Sequence, residues 1–273
     1  HSQIINYTDF DGKEVISAYW FDGSKSYLIY RFSPSRSPKA KCNRNAKGYL
    51  QSIGHYWRWA SLYCCGSISD AGKVMGLAAF GDEIKSKEND FLTLTDSARI
   101  ELDFSKLDQL YKKPNIFCLD LSNSKHYQDL ARKVQIESEN VILKLLSILQ
   151  KKFPSDNLYF SGGVALNVVA NERIKKSNLF KKIILNGSVE DNGIAIGAAL
   201  AANLNMGFER KSSTIKEYYG RQYESKEIID AILISKFKYK ILSKNEMFKV
   251  AAKLIQEEKI IGWFQGRSEF GPR

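Results

Sequence analysis

Two turns hold residue types that can do chemistry. In Phe160-Ser161-Gly162-Gly163-Val164-Ala165-Leu166-Asn167, a pair of glycines follows a short apolar run. Glycines allow a ligand to approach the backbone, and a helix starting there presents unpaired N–H groups and partial positive charge to an anion. The pattern is neither a phosphate loop ending in Lys-Ser/Thr nor G-x-G-x-x-G, and a tight structural turn is the competing reading. In Val189-Glu190-Asp191-Asn192-Gly193, a carboxylate lies between a strand-like and a helix-like run. There Asp191 can hold a hard cation or bind a hydroxyl, or it can cap the following helix.

Two further segments join them. In Ser69 to Ala78, Lys73 lies between Gly72 and Gly76 and could reach a phosphate, while a glycine-rich bend beneath a helix is the plainer alternative. In the run GWFQGRSEFGPR, Gly262 to Arg273, Arg267 and Arg273 lie on a Gly/Pro-bent stretch suited to bidentate binding of phosphate or carboxylate. His1, His55 and His126 form no H-x-x-x-H or H-E-x-x-H pair. Tyr56, Trp57, Trp59 and Tyr63 read as a core-facing cluster rather than a binding platform. Cys42, Cys64, Cys65 and Cys118 have no C-x-x-C spacing and read as reduced thiols of a cytoplasmic protein.

The 273 residues are 44% hydrophobic and 26% charged, the balance of a folded chain rather than a collagenous or disordered one. No apolar run has the roughly 20 residues that span a bilayer, so no membrane is expected. A formal charge of +11 favours anionic ligands. The basic residues are scattered as pairs, without a basic arm or helix, which argues against specific nucleic-acid binding.

The elements that must position these turns follow from pattern. Val15 to Trp20 and Tyr27 to Phe32 form a hairpin around Asp22-Gly23. Tyr127 to Lys152 repeats apolar residues at helical spacing (Leu130, Val134, Val141, Leu145, Leu149) and meets Pro154. A strand at Leu158 to Phe160 enters the glycine turn, and Val164 to Lys176 continues as a helix. A strand at Lys182 to Leu185 and a small-residue helix at Ile194 to Leu204 repeat the strand–turn–helix unit, an α/β signature. Phe208 to Glu227 reads as a linker. Ser243 and Glu246 form a capping box for a helix, and Ile260 to Phe264 reads as a strand.

In combination, Ser161 to Asn167, then Asp191-Asn192-Gly193 with Ile196-Gly197-Ala198-Ala199, then Gly262 to Arg273, resemble the nodulation-type O-carbamoyltransferases. GKVMGLAAFG, Gly72 to Gly81, and Ser52-Ile53-Gly54 are similar to further blocks of that family. The resemblance implies an α/β fold: an actin-like, ribonuclease-H-like ATPase domain over residues 1–210, then a linker and the start of a second α/β domain over 211–273. It also implies ATP, carbamoyl phosphate, a divalent metal (iron, zinc or manganese) and a hydroxyl-bearing sugar or natural product as acceptor. Carbamate from carbamoyl phosphate would react with ATP to give carbamoyl-adenylate, which then carbamoylates the hydroxyl.

By position, Asp191 would be the catalytic metal ligand and also touch the adenylate. Gly162, Gly163 and Asn167 would border the adenosine, and Ser52 the carbamoyl-adenylate. Arg267 and Arg273 would bind carbamoyl phosphate, Asp82 would face the acceptor, and Asp11 would share the metal. The family places two metal-binding histidines before Asp11, and no such pair is found here. Asp11-Gly12-Lys13-Glu14 lacks the second glycine of the family's Asp-Gly-x-Gly-Glu. The family sequence also runs on past Arg273, so an interior segment of a longer enzyme is expected, inactive alone. Exposed aromatics would fit a homodimer. Two other readings stand beside this one, an actin-like sugar or acyl kinase and a non-catalytic nucleotide-binding module.

Overall fold

The computed structural model describes residues 4–9, 12–22, 25–34, 51–82, 90–103, 105–107, 124–185, 187–209 and 218–269. The expected metal ligand Asp11 and the arginine Arg273 lie outside these residues, as do Cys42 and Cys118. The chain is mixed α/β and divides into two compact units, 1–185 and 186–273. The boundary expected near residue 210 falls inside the second unit.

The first unit is built from a three-stranded sheet, β1 (Ile5–Thr8), β2 (Ile16–Phe21) and β3 (Ser26–Ser33), in the order β1-β3-β2. The expected hairpin is the antiparallel β2–β3 pair, and β1 adds to it in parallel, Ile5 opposite Tyr30. Between β1 and β2 the chain passes so close to β3 that a Cβ on Gly12 would stand 1.9 Å from the Ser33 carbonyl oxygen. A second sheet pairs β4 (Leu92–Leu94) with β5 (Ile100–Leu102). It is fastened to the first by the Tyr30 hydroxyl, which donates to the Ala98 carbonyl at 2.9 Å.

Helix α1 (Ile53–Cys65) starts where the Ser52 hydroxyl accepts from the His55 N–H at 3.1 Å. It ends at Gly66, whose φ of 75° suits glycine and lets its N–H reach the Leu62 carbonyl. Tyr56, Trp57, Trp59 and Tyr63 face the core as expected, and Trp59 stacks on Tyr56 and Tyr63 with centroids 6.2 and 5.4 Å apart. Helix α2 (Ala71–Leu77) and a 3-10 turn (Ala78–Phe80) lead to Gly81, where a Cβ would lie 2.1 Å from the Gln128 carbonyl oxygen. The glycine-rich bend is thus a seat on the next helix. Lys73 is exposed and pairs with Asp70 one turn back at 3.0 Å.

That next helix, α3 (Ser124–Lys152), spans 29 residues and is the axis of the unit. Its apolar positions recur as predicted, and Leu130, Val134, Val141, Leu145 and Leu149 are all buried. It packs against α1, α2, the 3-10 turn Ala78–Phe80, β4 and α4 (Val168–Lys176). The short parallel pair β6 (Asn157–Tyr159) and β7 (Lys182–Ile184) flanks α4 in sequence. The single helix expected over 164–176 is two elements, a 3-10 turn (Gly163–Leu166) and α4. Asn167 takes an extended ψ of 93° between them, and its side chain caps the second.

The second unit holds α5 (Asp191–Asn205), α6 (Ser225–Ser235) and α7 (Lys244–Gln256), none with a buried residue. The Ser243–Glu246 capping box is formed as predicted. Helix α6 replaces the end of the expected linker, opened by a capping box between Glu224 and Glu227. Ile260 to Phe264 is not a strand, because among the described residues no partner strand lies beside it to pair its backbone. Instead Trp263 stacks on Phe248 at 6.3 Å, and Gly220 donates its N–H to the Ser268 carbonyl at 2.9 Å.

Candidate functional site

The glycine turn leaves the carboxyl end of β6, the end at which open parallel sheets bind ligands. The Phe160 N–H donates to the Ile184 carbonyl at 3.2 Å and holds the chain on β7 to the last residue before the turn. Gly162 then adopts φ 100° and ψ 163°, a conformation closed to residues with a Cβ. No atom lies within 4 Å of where that Cβ would stand, so the requirement comes from the backbone, and the face in front is open. Ser161, Gly162 and Gly163 are exposed. The turn closes with the Ala165 N–H donating to the Gly162 carbonyl at 2.8 Å.

Behind it is a buried polar network. The Asn167 amide oxygen accepts from the Ala170 N–H at 3.0 Å and from Gln135 Nε2 at 3.1 Å, while Asn167 Nδ2 donates to Gln135 Oε1 at 2.9 Å. Gln135 Nε2 also donates to Glu139 Oε1 at 2.6 Å. The other Glu139 oxygen accepts from Arg173 at 2.7 Å, and Arg173 donates onward to Asn140 Oδ1 at 2.7 Å. Asn167, Gln135 and Glu139 are all buried. Asn167 therefore meets the turn from within, as the cap of α4.

On the same stretch of α3, Lys133 and Glu137 form a buried ion pair at 2.7 Å. Glu137 also accepts from the Tyr56 hydroxyl at 2.8 Å and from the Phe91 and Leu92 N–H groups, and Trp57 Nε1 donates to the Ser138 hydroxyl at 2.9 Å. Burial raises the Glu137 carboxyl above its usual range, although Lys133, Tyr56 and the Leu92 N–H all pull it down. Near the start of α3, Lys125 bridges Asp82 at 2.6 Å and Asp129 at 3.0 Å, and the Asp82 N–H donates to Asp129 at 2.7 Å. The Tyr63 hydroxyl meets His126 Nε2 at 3.0 Å, and burial pushes that hydroxyl up to about 12.

Of the expected site residues, Gly162, Gly163 and Asn167 share one turn, and α1, which Ser52 caps, touches the 3-10 turn Gly163–Leu166. Asp82 belongs to the Lys125 cluster instead. Asp191 and Arg267 belong to the second unit. Asp191 is the first residue of α5 rather than its cap, a position occupied by Glu190. Its carboxylate there complements the helix dipole, and the close turn is made possible by Gly193, whose Cβ would lie 2.0 Å from the Ser188 carbonyl oxygen. Arg267 is exposed beside Gly266, which has φ 75°.

Among the described residues no group of three or more His, Cys, Asp or Glu could hold a metal ion. Of the expected metal ligands Asp11 and Asp191, only Asp191 lies among the described residues. Gln135, Glu139 and Arg173 were missed by pattern reading; the signal for Gln135 and Glu139 was polar residues inside a helix otherwise spaced for burial.

The family described as "Carbamoyltransferase N-terminus" matches residues 4–200. An uncharacterized Synechocystis protein, sll1178, is 34% identical over 53% of this chain and 25% of its own length. Nodulation protein NolNO of Sinorhizobium fredii is 27% identical over 81% of this chain and 33% of its own. The 3'-hydroxymethylcephem-O-carbamoyltransferase of Streptomyces clavuligerus is 24% identical over 76% of this chain and 37% of its own. The chain thus spans between a quarter and two fifths of these curated relatives. No described helix is long and apolar enough to cross a membrane. With a family match that takes in the three-stranded sheet, the long helix, the glycine turn and Asp191, this chain belongs to the carbamoyltransferase N-terminal family.

Proposed function

We propose that this chain is the nucleotide-handling part of an ATP-dependent O-carbamoyltransferase with an actin-like ATPase domain. The observation that carries the reading is the exposed left-handed Gly162 turn at the end of a parallel strand, open in front and capped behind. Its N–H groups suit a nucleotide phosphate, and the +11 charge suits anionic substrates. Carbamoyl phosphate loses its phosphate to water and yields carbamate. A carbamate oxygen attacks the α-phosphorus of ATP, and pyrophosphate leaves. The acceptor hydroxyl then attacks the carbamoyl carbon of the adenylate, AMP leaves, and the hydroxyl proton passes to a base.

In this reading Gly162 and Gly163 offer backbone to the nucleotide, and the Ser52 hydroxyl, an acceptor in the α1 cap, donates to the carbamoyl-adenylate. Asp191 contacts the adenylate, Arg267 and Arg273 take carbamoyl phosphate, and Asp82 faces the acceptor. The acceptor is a hydroxyl-bearing sugar or natural product, a reading supported by the name of the 3'-hydroxymethylcephem-O-carbamoyltransferase. The test is pyrophosphate release by the full-length protein given ATP, carbamoyl phosphate and acceptor. Release that requires carbamoyl phosphate, and that falls at least a hundredfold in Asp191→Ala, is expected for loss of a group acting on the transition state. ADP with a phosphorylated acceptor would instead make the protein a kinase, and nucleotide binding without turnover a non-catalytic module.

A further inference from the structure

We infer that Gln135 is a positioning residue for nucleotide binding, one that sets the Gly162-Gly163 turn from inside the fold through Asn167. The inference rests on the nucleotide reading of that turn. Gln135 is 1% exposed, between Val134 and Ile136 in sequence and one turn from Ala131 and Glu139 on α3. A buried amide costs stability unless its partners are present, and here Asn167 and Glu139 supply them.

What the amide secures is specific. Its reciprocal pair with Asn167, at 2.9 and 3.1 Å, fixes the side chain that caps α4. The Asn167 backbone is held as well, its N–H on Val164 at 3.1 Å and its carbonyl on the Asn171 N–H at 3.0 Å. Upstream, the turn is held by Phe160 on β7. Gly162 and Gly163 lie between these two anchors without side chains of their own, so the direction of their N–H groups is inherited from the anchors.

Arg173 completes the arrangement. It lies on α4 and holds Glu139, which accepts from Gln135. Helix α4 is therefore tied to α3 at both its cap and its last turns, and a single chain of hydrogen bonds runs from Arg173 through Glu139 and Gln135 to Asn167. Pre-set donors bind an anion without first paying for ordering.

The test compares Gln135→Met, which keeps volume and removes the amide, with Asn167→Ser, which keeps a capping oxygen and removes the amide pair. Both are made in the full-length enzyme, together with the double variant. ATP affinity by titration and ATP KM in the pyrophosphate assay are both read. Gln135→Met is expected to weaken ATP about tenfold, with kcat at saturating ATP within about twofold, and Asn167→Ser is expected to weaken ATP at least as much. The double variant should be no weaker than the worse single one, because both break the same link.

A lower melting temperature with unchanged ATP KM would overturn the inference and leave Gln135 as ordinary scaffold. So would losses that multiply in the double variant. If Gln135→Met does not fold, Arg173→Met, at a side chain 40% exposed, decides by the same split between KM and kcat. Wild-type protein that binds no ATP would sink the nucleotide reading itself, a result visible before any variant is made.

Discussion

Lys133 and Glu137 carry opposite charges into the core, 8% and 5% exposed, and touch at 2.7 Å. Such a pair stabilises little when whole, since desolvation offsets the attraction, yet removing one partner strands the other. Lys133→Met should therefore destabilise the protein by about 3 kcal/mol at neutral pH, and adding Glu137→Gln should recover part of it. The pH dependence has a definite sign. The Glu137 carboxyl is held above its ordinary 4.5, so its favourable contribution is full below that value and is lost as pH rises through the raised one. Without Lys133 the loss deepens. Urea unfolding at pH 4.5 and 7.5 should show the Lys133→Met penalty shrinking at the acid end; a penalty equal at both would remove Glu137 as its cause.

At the level of elements, caps and close approaches decide where helices begin. Ser52→Ala deletes the acceptor for the His55 N–H and should cost about 1 kcal/mol, measured as a shift in the urea midpoint, while Ser52→Asp should restore most of it. If Ser52 also touches carbamoyl-adenylate, the Asp variant will be stable yet inactive, which separates the two roles. Local patterns of this kind were readable in the sequence: the β2–β3 hairpin, the spacing of α3 and the Ser243–Glu246 box depend on residues a few positions apart. Elements set by distant partners were not. Asn167 breaks a helix that its neighbours would have continued, because Gln135, far away in the chain, completes its amide. Ile260 to Phe264 has strand composition but no strand beside it among the described residues. Glu224, an uncommon cap, hid the first turn of α6 at the end of an apparent linker.

Among the described residues the main hydrophobic cluster belongs to one unit. Every residue of the hydrophobic cluster, from Tyr30 to Ile174, falls within 1–185, and the helices of the second unit bury none. A fragment of residues 1–185 should thus keep the near-UV circular dichroism of stacked Trp59 and melt cooperatively. Residues 186–273 alone should melt gradually, and a sharp transition there would show a core of its own. The site was half legible for the same reason. The glycine turn announces itself in adjacent residues, whereas the network that aims it is assembled only when α3 and α4 pack.

Helix α3 serves both buried polar systems, and they leave it on different sides. Lys133 and Glu137 reach toward β4, while Gln135 and Glu139 reach toward α4. Each residue advances the helix by about 100°. One codon gained or lost between Leu130 and Leu149 would therefore swing every later side chain away from its partner, however mild the residue itself. Single exchanges along this stretch can be absorbed, but a change of length cannot. Among relatives, gaps should avoid this segment and collect in the loops on either side of it.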